Sequence, residues 1–208
     1  MPLKILILFA HPAFQRARVQ PALLAAARSL EGVTIHDLYE AYPDLMIDVP
    51  REQDLLRAHD AIVFQHPFYW YSSPAILKEW QDLVLQHGFA YGRDGTALHG
   101  KMMMSAISAG GGEAAYREDG VNRFTIAELL RPFEQTAALC GMRWLPPFVV
   151  HGTLLLEPDV IARHAEDYRR VLTALRDGRI DPSSNAIAGQ PRINADLGVV
   201  LGQGADTP

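Results

Sequence analysis

Three short stretches of this chain combine residue types that a packed core has little use for. The first is Ala10-His11-Pro12-Ala13-Phe14-Gln15-Arg16-Ala17-Arg18-Val19-Gln20, in which a histidine and two arginines precede an apolar run. A helix starting near Val19 would aim free amides at whatever His11, Arg16 and Arg18 surround, and anions are favoured at helix N-termini. That is a phosphate cradle. A simpler arrangement is also open, with His11 closing a turn and both arginines in solvent. The stretch lacks the glycine fingerprint of an ordinary dinucleotide-binding turn.

The second stretch runs from Gln65 to Pro74 and contains Phe68, Tyr69, Trp70 and Tyr71 in succession. Adjacent side chains cannot all face one way, and tyrosine and tryptophan need partners for their polar atoms. A planar ligand among them explains the run, as does a contact between two copies of the chain. The third is Ser108-Ala109-Gly110-Gly111-Gly112-Glu113, whose amides, unobstructed by side chains, suit a flat ring system or an oxyanion. Tyr116 follows closely and carries a hydroxyl able to give a proton to a reduced acceptor. The eight histidines show no zinc-like spacing with cysteines or carboxylates, so no metal is expected. His151 and His164 read as structural.

These stretches need elements to position them. Leu3 to Ala10 is a near-continuous apolar run, too short for a comfortable helix, and reads as a strand buried on both faces. Val33 to Leu38, Ala61 to Gln65, Lys101 to Ile107 and Trp144 to Val150 supply four more strands. Helical spacing recurs between them: Val19 to Leu30, Glu52 to His59, Ile76 to Val84 behind Pro74, a short helix from Ile126 broken at Pro132, a second up to Gly141, and a long one from Pro158 to Gly178. Strands joined by helical crossovers imply right-handed βαβ units. The expected fold is therefore α/β: a doubly wound five-stranded parallel sheet in three α/β/α layers. In such a sheet ligands bind beyond the carboxyl ends of the strands, where all three stretches fall. Residues 1–178 form one expected domain. Residues 179–208, rich in Gly, Pro, Ser and Asn, are expected to be an arm or a disordered tail, with only Leu197 to Leu201 offering burial.

Composition narrows the partners. The chain is 49% hydrophobic and 21% charged, with a formal net charge of −5, so it lacks the basic footprint that drives phosphate-backbone binding and no nucleic acid is expected. The single cysteine, Cys140, cannot form an internal disulfide and suits a reducing compartment. No stretch approaches the roughly 20 apolar residues of a membrane span, and no targeting segment is visible. The expected location is cytoplasmic.

Taken in order, Ala10-His11-Pro12, Gln65-His66-Pro67 with Trp70-Tyr71, Trp80, Gly88-Phe89-Ala90-Tyr91-Gly92, Leu98-His99-Gly100-Lys101, Gly110-Gly111-Gly112-Glu113 and Trp144-Leu145-Pro146-Pro147-Phe148 form a recognisable series. It resembles the flavodoxin-like NAD(P)H:quinone oxidoreductase family, in particular the bacterial branch serving as ancillary subunits of glutathione-regulated potassium efflux systems. The resemblance covers Leu3 to about Gly178. It implies FMN, with FAD the alternative: the flavin phosphate lies near His11, Arg16, Ala17, Arg18, Val19 and Gln20, and the ring lies beside Phe68, Tyr69, Trp70, Tyr71, Ser108, Ala109, Gly110 and Gly111. It also implies NADPH or NADH as donor and a homodimer with its active sites at the interface.

Three positions depart from that family pattern. Relatives usually carry serine and asparagine where this chain has Ala17 and Gln20, and threonine at Ala109. A hydrogen bond to a charged group contributes roughly 1.5–3 kcal/mol, so a lost hydroxyl weakens flavin binding by about ten- to a hundred-fold unless Arg16 or Arg18 compensates.

The activity implied is a two-step cycle in which a nicotinamide delivers hydride to flavin and a quinone-type acceptor then takes two electrons, with Tyr116 as proton donor. A different class is a regulatory subunit that binds a transporter's cytosolic part, peripheral to the inner membrane, and uses flavin as a structural or redox element. A one-electron carrier is a third, against which the modest charge argues, because dedicated carriers steer partners with stronger fields.

Overall fold

The computed structural model describes residues 1–202. Its centre is a parallel sheet built from β1 (Ile5–Phe9), β2 (Val33–Asp37), β3 (Ala61–Pro67), β4 (Met102–Ser108), β5 (Arg143–Trp144) and β6 (Phe148–Val150), in the order β2-β1-β3-β4-β5 with β6 also on β4. Every residue of β1 and β3 is buried, which is why both read as unbroken apolar runs rather than alternating ones. Register holds Phe9 beside Gln65 and Pro67 beside Ser108, so β1, β3 and β4 end together.

The fifth sheet position differs in detail from a single strand over 144–150. β5 pairs with Met102 and Met103 at the start of β4, and β6 pairs with Ala106, Ile107 and Ser108 at its end. Pro146 and Pro147 lie between, and two consecutive residues without N–H groups cannot continue a ladder.

Among the described residues the α-helices are α1 (Val19–Arg28), α2 (Leu38–Ala41), α3 (Val49–Ala58), α4 (Ala75–Val84), α5 (Ile126–Leu129), α6 (Arg131–Leu139), α7 (Pro158–Arg176) and α8 (Leu197–Val200). On one face of the sheet, Ile5, Ile7, Phe9, Val63 and Met104 pack with Leu23, Leu24, Tyr168, Leu172 and Leu175 of α1 and α7. On the other, Leu6, Leu8, Ile62, Phe64 and Met103 pack with Leu56, Leu77, Trp80 and Phe133 of α3, α4 and α6. The result is three layers.

Local chemistry sets several boundaries. α3 begins at Val49, three residues before the apolar periodicity, because Asp48 caps it by accepting from the Arg51 amide at 3.2 Å. α2 is a single turn capped by Asp37, which accepts from Tyr39 and Glu40; one turn is too short to show a period. Glu52 of α3 is completely buried and accepts from Trp80 Nε1 at 2.8 Å, from the Tyr42 hydroxyl and from His36 Nε2 at 2.7 Å. Those three donors hold its carboxyl below the usual range against the opposing effect of burial.

Beyond α7, residues 179–202 pack against the α1/α7 face. Ile180, Ile187 and Ile193 are buried there together with Val200 of α8. The expectation that only Leu197 to Leu201 could bury apolar surface was too narrow: three isoleucines spaced by loops carry no periodic signal. The remainder of the 179–208 segment, 203–208, lies outside the described residues.

Candidate functional site

All three chemistry-bearing stretches meet at the carboxyl ends of β1, β3 and β4, where they line a cleft of two joined chambers. The first, about 440 Å³, is walled by His11, Ala13, Arg16, Ala17, Arg18, Val19 and Gln20 on one side and Pro67, Phe68, Tyr69, Ser108, Gly110, Thr153 and Leu154 on the other. The second, about 570 Å³, shares Phe68, Tyr69 and Gly110 with it and adds Trp70, Tyr71, Gly111, Ala115, Tyr116, Val121 and Asn122. Both volumes fall in the range of small-molecule sites.

The first chamber suits an anion. α1 opens onto it without a side-chain cap, and Pro21 in its first turn has no amide to present, so the free donors concentrate at Val19 and Gln20. Arg16 and Arg18 flank that end. His11 does close a turn, its Nδ1 accepting from the Ala13 amide at 3.1 Å. Because a backbone N–H can only donate, the imidazole proton sits on Nε2, and the residue still lines the chamber. Burial lowers the His11 pKa below the ordinary histidine value. The two sequence alternatives for this histidine are therefore compatible.

The second chamber suits a flat ring. No heavy atom lies near the missing Cβ of Gly112, only Leu154 Cδ1 at 3.9 Å near that of Gly110, while a Cβ on Gly111 would stand 3.1 Å from the Tyr116 ring. Glycine at 111 thus lets the loop and Tyr116 lie against each other. Opposite, Trp70 and Tyr71 hold left-handed backbone conformations with φ of 49° and 62°. Such conformations cost non-glycine residues roughly 1–3 kcal/mol and cluster at ligand sites. Trp70 is 93% exposed, and the Tyr71 hydroxyl donates to Asn122 Oδ1 at 3.2 Å. The Tyr116 hydroxyl keeps its proton beyond the ordinary tyrosine range, chiefly through burial and secondarily through Tyr71.

Two expected residues contribute differently. The Gln20 side chain faces inward: its Nε2 donates to the His66 carbonyl and to Ser108 Oγ, both at 3.0 Å, and its Oε1 accepts from Gln65 Nε2 at 3.0 Å. Gln65 in turn accepts from the Tyr168 hydroxyl at 3.1 Å. Gln20 therefore ties the ends of β3 and β4 beneath the cleft, leaving its amide but not its side chain for a ligand. Ala109 is fully buried, with its amide donating to Val150 O at 2.8 Å and its carbonyl accepting from Thr153 N at 3.2 Å. It holds the glycine loop from behind rather than facing the cleft.

Sequence reasoning passed over the wall at 153–156. Thr153 and Leu154 line the first chamber, and the Leu156 carbonyl accepts from Arg18 Nη2 at 2.7 Å, so the arginine spans the cleft's edge. Nothing in Thr-Leu-Leu-Leu announces that position. His151, read as structural, stands with its ring 5.6 Å from that of Tyr116.

The residues fit a flavin mononucleotide: uncapped amides and arginines for a phosphate at one end, bare glycine backbone opposite aromatics for a ring at the other. A doubly wound parallel sheet with such a cleft beyond its strand ends defines a flavodoxin-like α/β protein. The chain belongs to that family: the model for the flavodoxin-like fold matches residues 3–172. Among curated proteins it is 53% identical over 167 residues to a glutathione-regulated potassium-efflux system ancillary protein KefG of Pectobacterium carotovorum, covering 80% of this chain and 91% of that one. The KefG of Enterobacter sp. strain 638 is 51% identical over 165 residues, covering 79% and 90%.

Solved structures agree. The general stress protein 14 of Treponema denticola, in complex with FMN, superposes with a TM-score of 0.80 at 42% identity, covering 83% of this chain and 99% of that one. An NADPH-quinone reductase from P. pentosaceus gives 0.74 at 38% identity, covering 81% and 97%. Among the described residues, no helix is long and apolar enough to cross a membrane.

Proposed function

We propose that this chain is a flavin-dependent NAD(P)H:quinone oxidoreductase that binds FMN in the first chamber and at the chambers' junction. The observation that carries this reading is the single cleft joining an uncapped helix end, a bare glycine loop and a strained aromatic loop. The FMN complex at 42% identity and the NADPH-quinone reductase at 38% support it.

Bound flavin supplies hydride uptake and release in two-electron steps. The chain supplies the rest. Val19 and Gln20 amides with His11, Arg16 and Arg18 hold the phosphate, replacing the hydroxyl absent at Ala17. Phe68, Tyr69 and the Gly110–Gly111 backbone orient the ring. Trp70, Tyr71 and Tyr116 leave an aromatic chamber in which nicotinamide and quinone take turns, as a ping-pong cycle requires, and the Tyr116 hydroxyl gives a proton to the acceptor.

A second reading has its own support. Identity of 51–53% to KefG proteins favours an ancillary subunit of a potassium-efflux transporter, cytoplasmic and peripheral to the inner membrane. Trp70, Val121 and Leu154 line the cleft yet are largely exposed, an apolar rim that suits a homodimer built across it.

The test is spectroscopic. Purified protein titrated with FMN or FAD should perturb the flavin absorbance, bleach under anaerobic NADPH or NADH, and recover its colour on adding a quinone. Absence of binding at micromolar flavin would overturn the enzyme reading. Co-purification with the transporter in that case would establish the ancillary one.

A further inference from the structure

The family model ends at residue 172, yet the segment beyond α7 reaches back to the cleft. Arg192 forms a two-pronged ion pair with Glu113, Nη1 to Oε1 at 2.5 Å and Nη2 to Oε2 at 3.1 Å, and Glu113 directly follows the glycine loop. Two residues on, the Asn194 side chain clips β6 by both its polar atoms, accepting from Val149 N at 3.0 Å and donating to Val149 O at 2.9 Å. Between them the Ile193 amide donates to Pro147 O at 2.9 Å, and its side chain is fully buried. β6 leads into Gly152 and Thr153, whose amides donate to Gly111 O at 2.9 Å and Ala109 O at 3.2 Å. Residues 192–194 therefore grip the glycine loop twice, at its far end through Glu113 and from behind through β6.

We propose that Arg192 is a positioning residue for the flavin ring, and that the 192–194 strap holds the glycine loop in its ring-binding shape. Chemistry favours a purpose beyond attachment. Ile180, Ile187 and Ile193 already anchor the segment by burial, so the ion pair is not needed to hold it down. Glu113 would otherwise leave an unpaired carboxylate beside a loop expected to stabilise negative charge on a reduced ring. The pair also keeps the Glu113 carboxyl ionised below the ordinary range.

This inference rests on the flavin reading, and the experiment separates the two. Amide hydrogen exchange of residues 109–116 is measured in flavin-free full-length protein for wild type, Arg192→Ala, Arg192→Lys and the charge-swapped pair Glu113→Arg with Arg192→Glu. FMN dissociation constants are measured in parallel. Arg192→Ala should speed exchange in that segment and weaken FMN about two- to five-fold, the scale of a partly exposed ion pair, with Arg192→Lys and the swapped pair recovering most of the loss. Unchanged exchange in Arg192→Ala, or an altered affinity that neither rescue restores, overturns the proposal. Wild-type protein that binds no FMN defeats the flavin reading, and the ring-positioning role with it, whatever the exchange shows.

Discussion

His11 accepts a hydrogen bond from the Ala13 amide at Nδ1, which fixes its proton on Nε2 at the wall of the first chamber. Burial lowers its pKa, so the free protein carries the neutral ring at pH 7. A second proton would have to sit on Nδ1, which already accepts from the Ala13 amide, so the ring meets a bound phosphate as a neutral donor through Nε2–H. FMN affinity should therefore change by less than about three-fold between pH 8 and 7, since this ring takes up no proton on binding. His11→Ala should keep that flat profile and weaken binding about ten- to a hundred-fold. Fluorescence titration at several pH values checks it; a wild-type affinity that climbs steeply as pH falls, with a mutant that does not, would show that the ring is protonated on binding.

His66 makes a separate prediction about stability. Its Nδ1–H donates to Pro67 O at 2.9 Å, its Nε2 has no partner, and complete burial against Phe133 lowers its pKa from 6.5 to about 4. The folded-state value is depressed, so this contribution is fully present above pH 6.5, is lost progressively as pH falls from 6.5 toward 4, and changes no further below 4. Between pH 7 and 4.5 the loss from this residue alone is about 2–3 kcal/mol. His66→Phe should lessen the acid destabilisation by that amount, read from urea midpoints at the two pH values. An identical acid loss in wild type and mutant would mean the imidazole is protonated as readily folded as unfolded.

What could be read without coordinates followed from local chemistry. The buried strands, the long α7 and the three unusual stretches each carry their signal in consecutive residues. Gln20 was different: whether a side chain at the second position of α1 faces a ligand or the sheet depends on Gln65, 45 residues away, standing within reach. Ala109 is a similar case, since its amide is consumed by a strand that starts at Phe148. Leu154 and the strap at Arg192–Asn194 lie in apolar or loop-like sequence and acquire meaning only from β6 bringing them to the cleft. Side-chain direction and long-range pairing were the missing information.

Trp70 combines a left-handed backbone with near-complete exposure, an arrangement that gives nothing back to the isolated chain. Trp70→Gly should leave thermal stability unchanged or higher by up to about 1 kcal/mol, as relief of strain is partly offset by added freedom in the unfolded state. Losing a buried tryptophan normally costs about 3–5 kcal/mol. A loss of that size, dependent on protein concentration, would show that the ring is covered in a dimer. If stability holds while the quinone KM rises several-fold, the strain serves the ligand.

Tyr116 tests the proton step. Its hydroxyl lines the second chamber, its ring lies beside Phe68 at 6.0 Å between centroids, and its raised pKa keeps the proton in place at neutral pH. Tyr116→Phe preserves that packing and deletes only the donor. General acid catalysis contributes typically 10²–10⁴-fold, with water able to substitute in part at an open chamber, so quinone reduction should slow by about ten- to a hundred-fold. Flavin reduction by nicotinamide needs no proton from this residue and should change less than about three-fold. Stopped-flow measurement of the two half-reactions separates them. An acceptor half-reaction unchanged across several quinones would remove Tyr116 from the mechanism and leave His151, behind it, as the next group to substitute. Equal slowing of both halves would instead mean that the hydroxyl orients the ring.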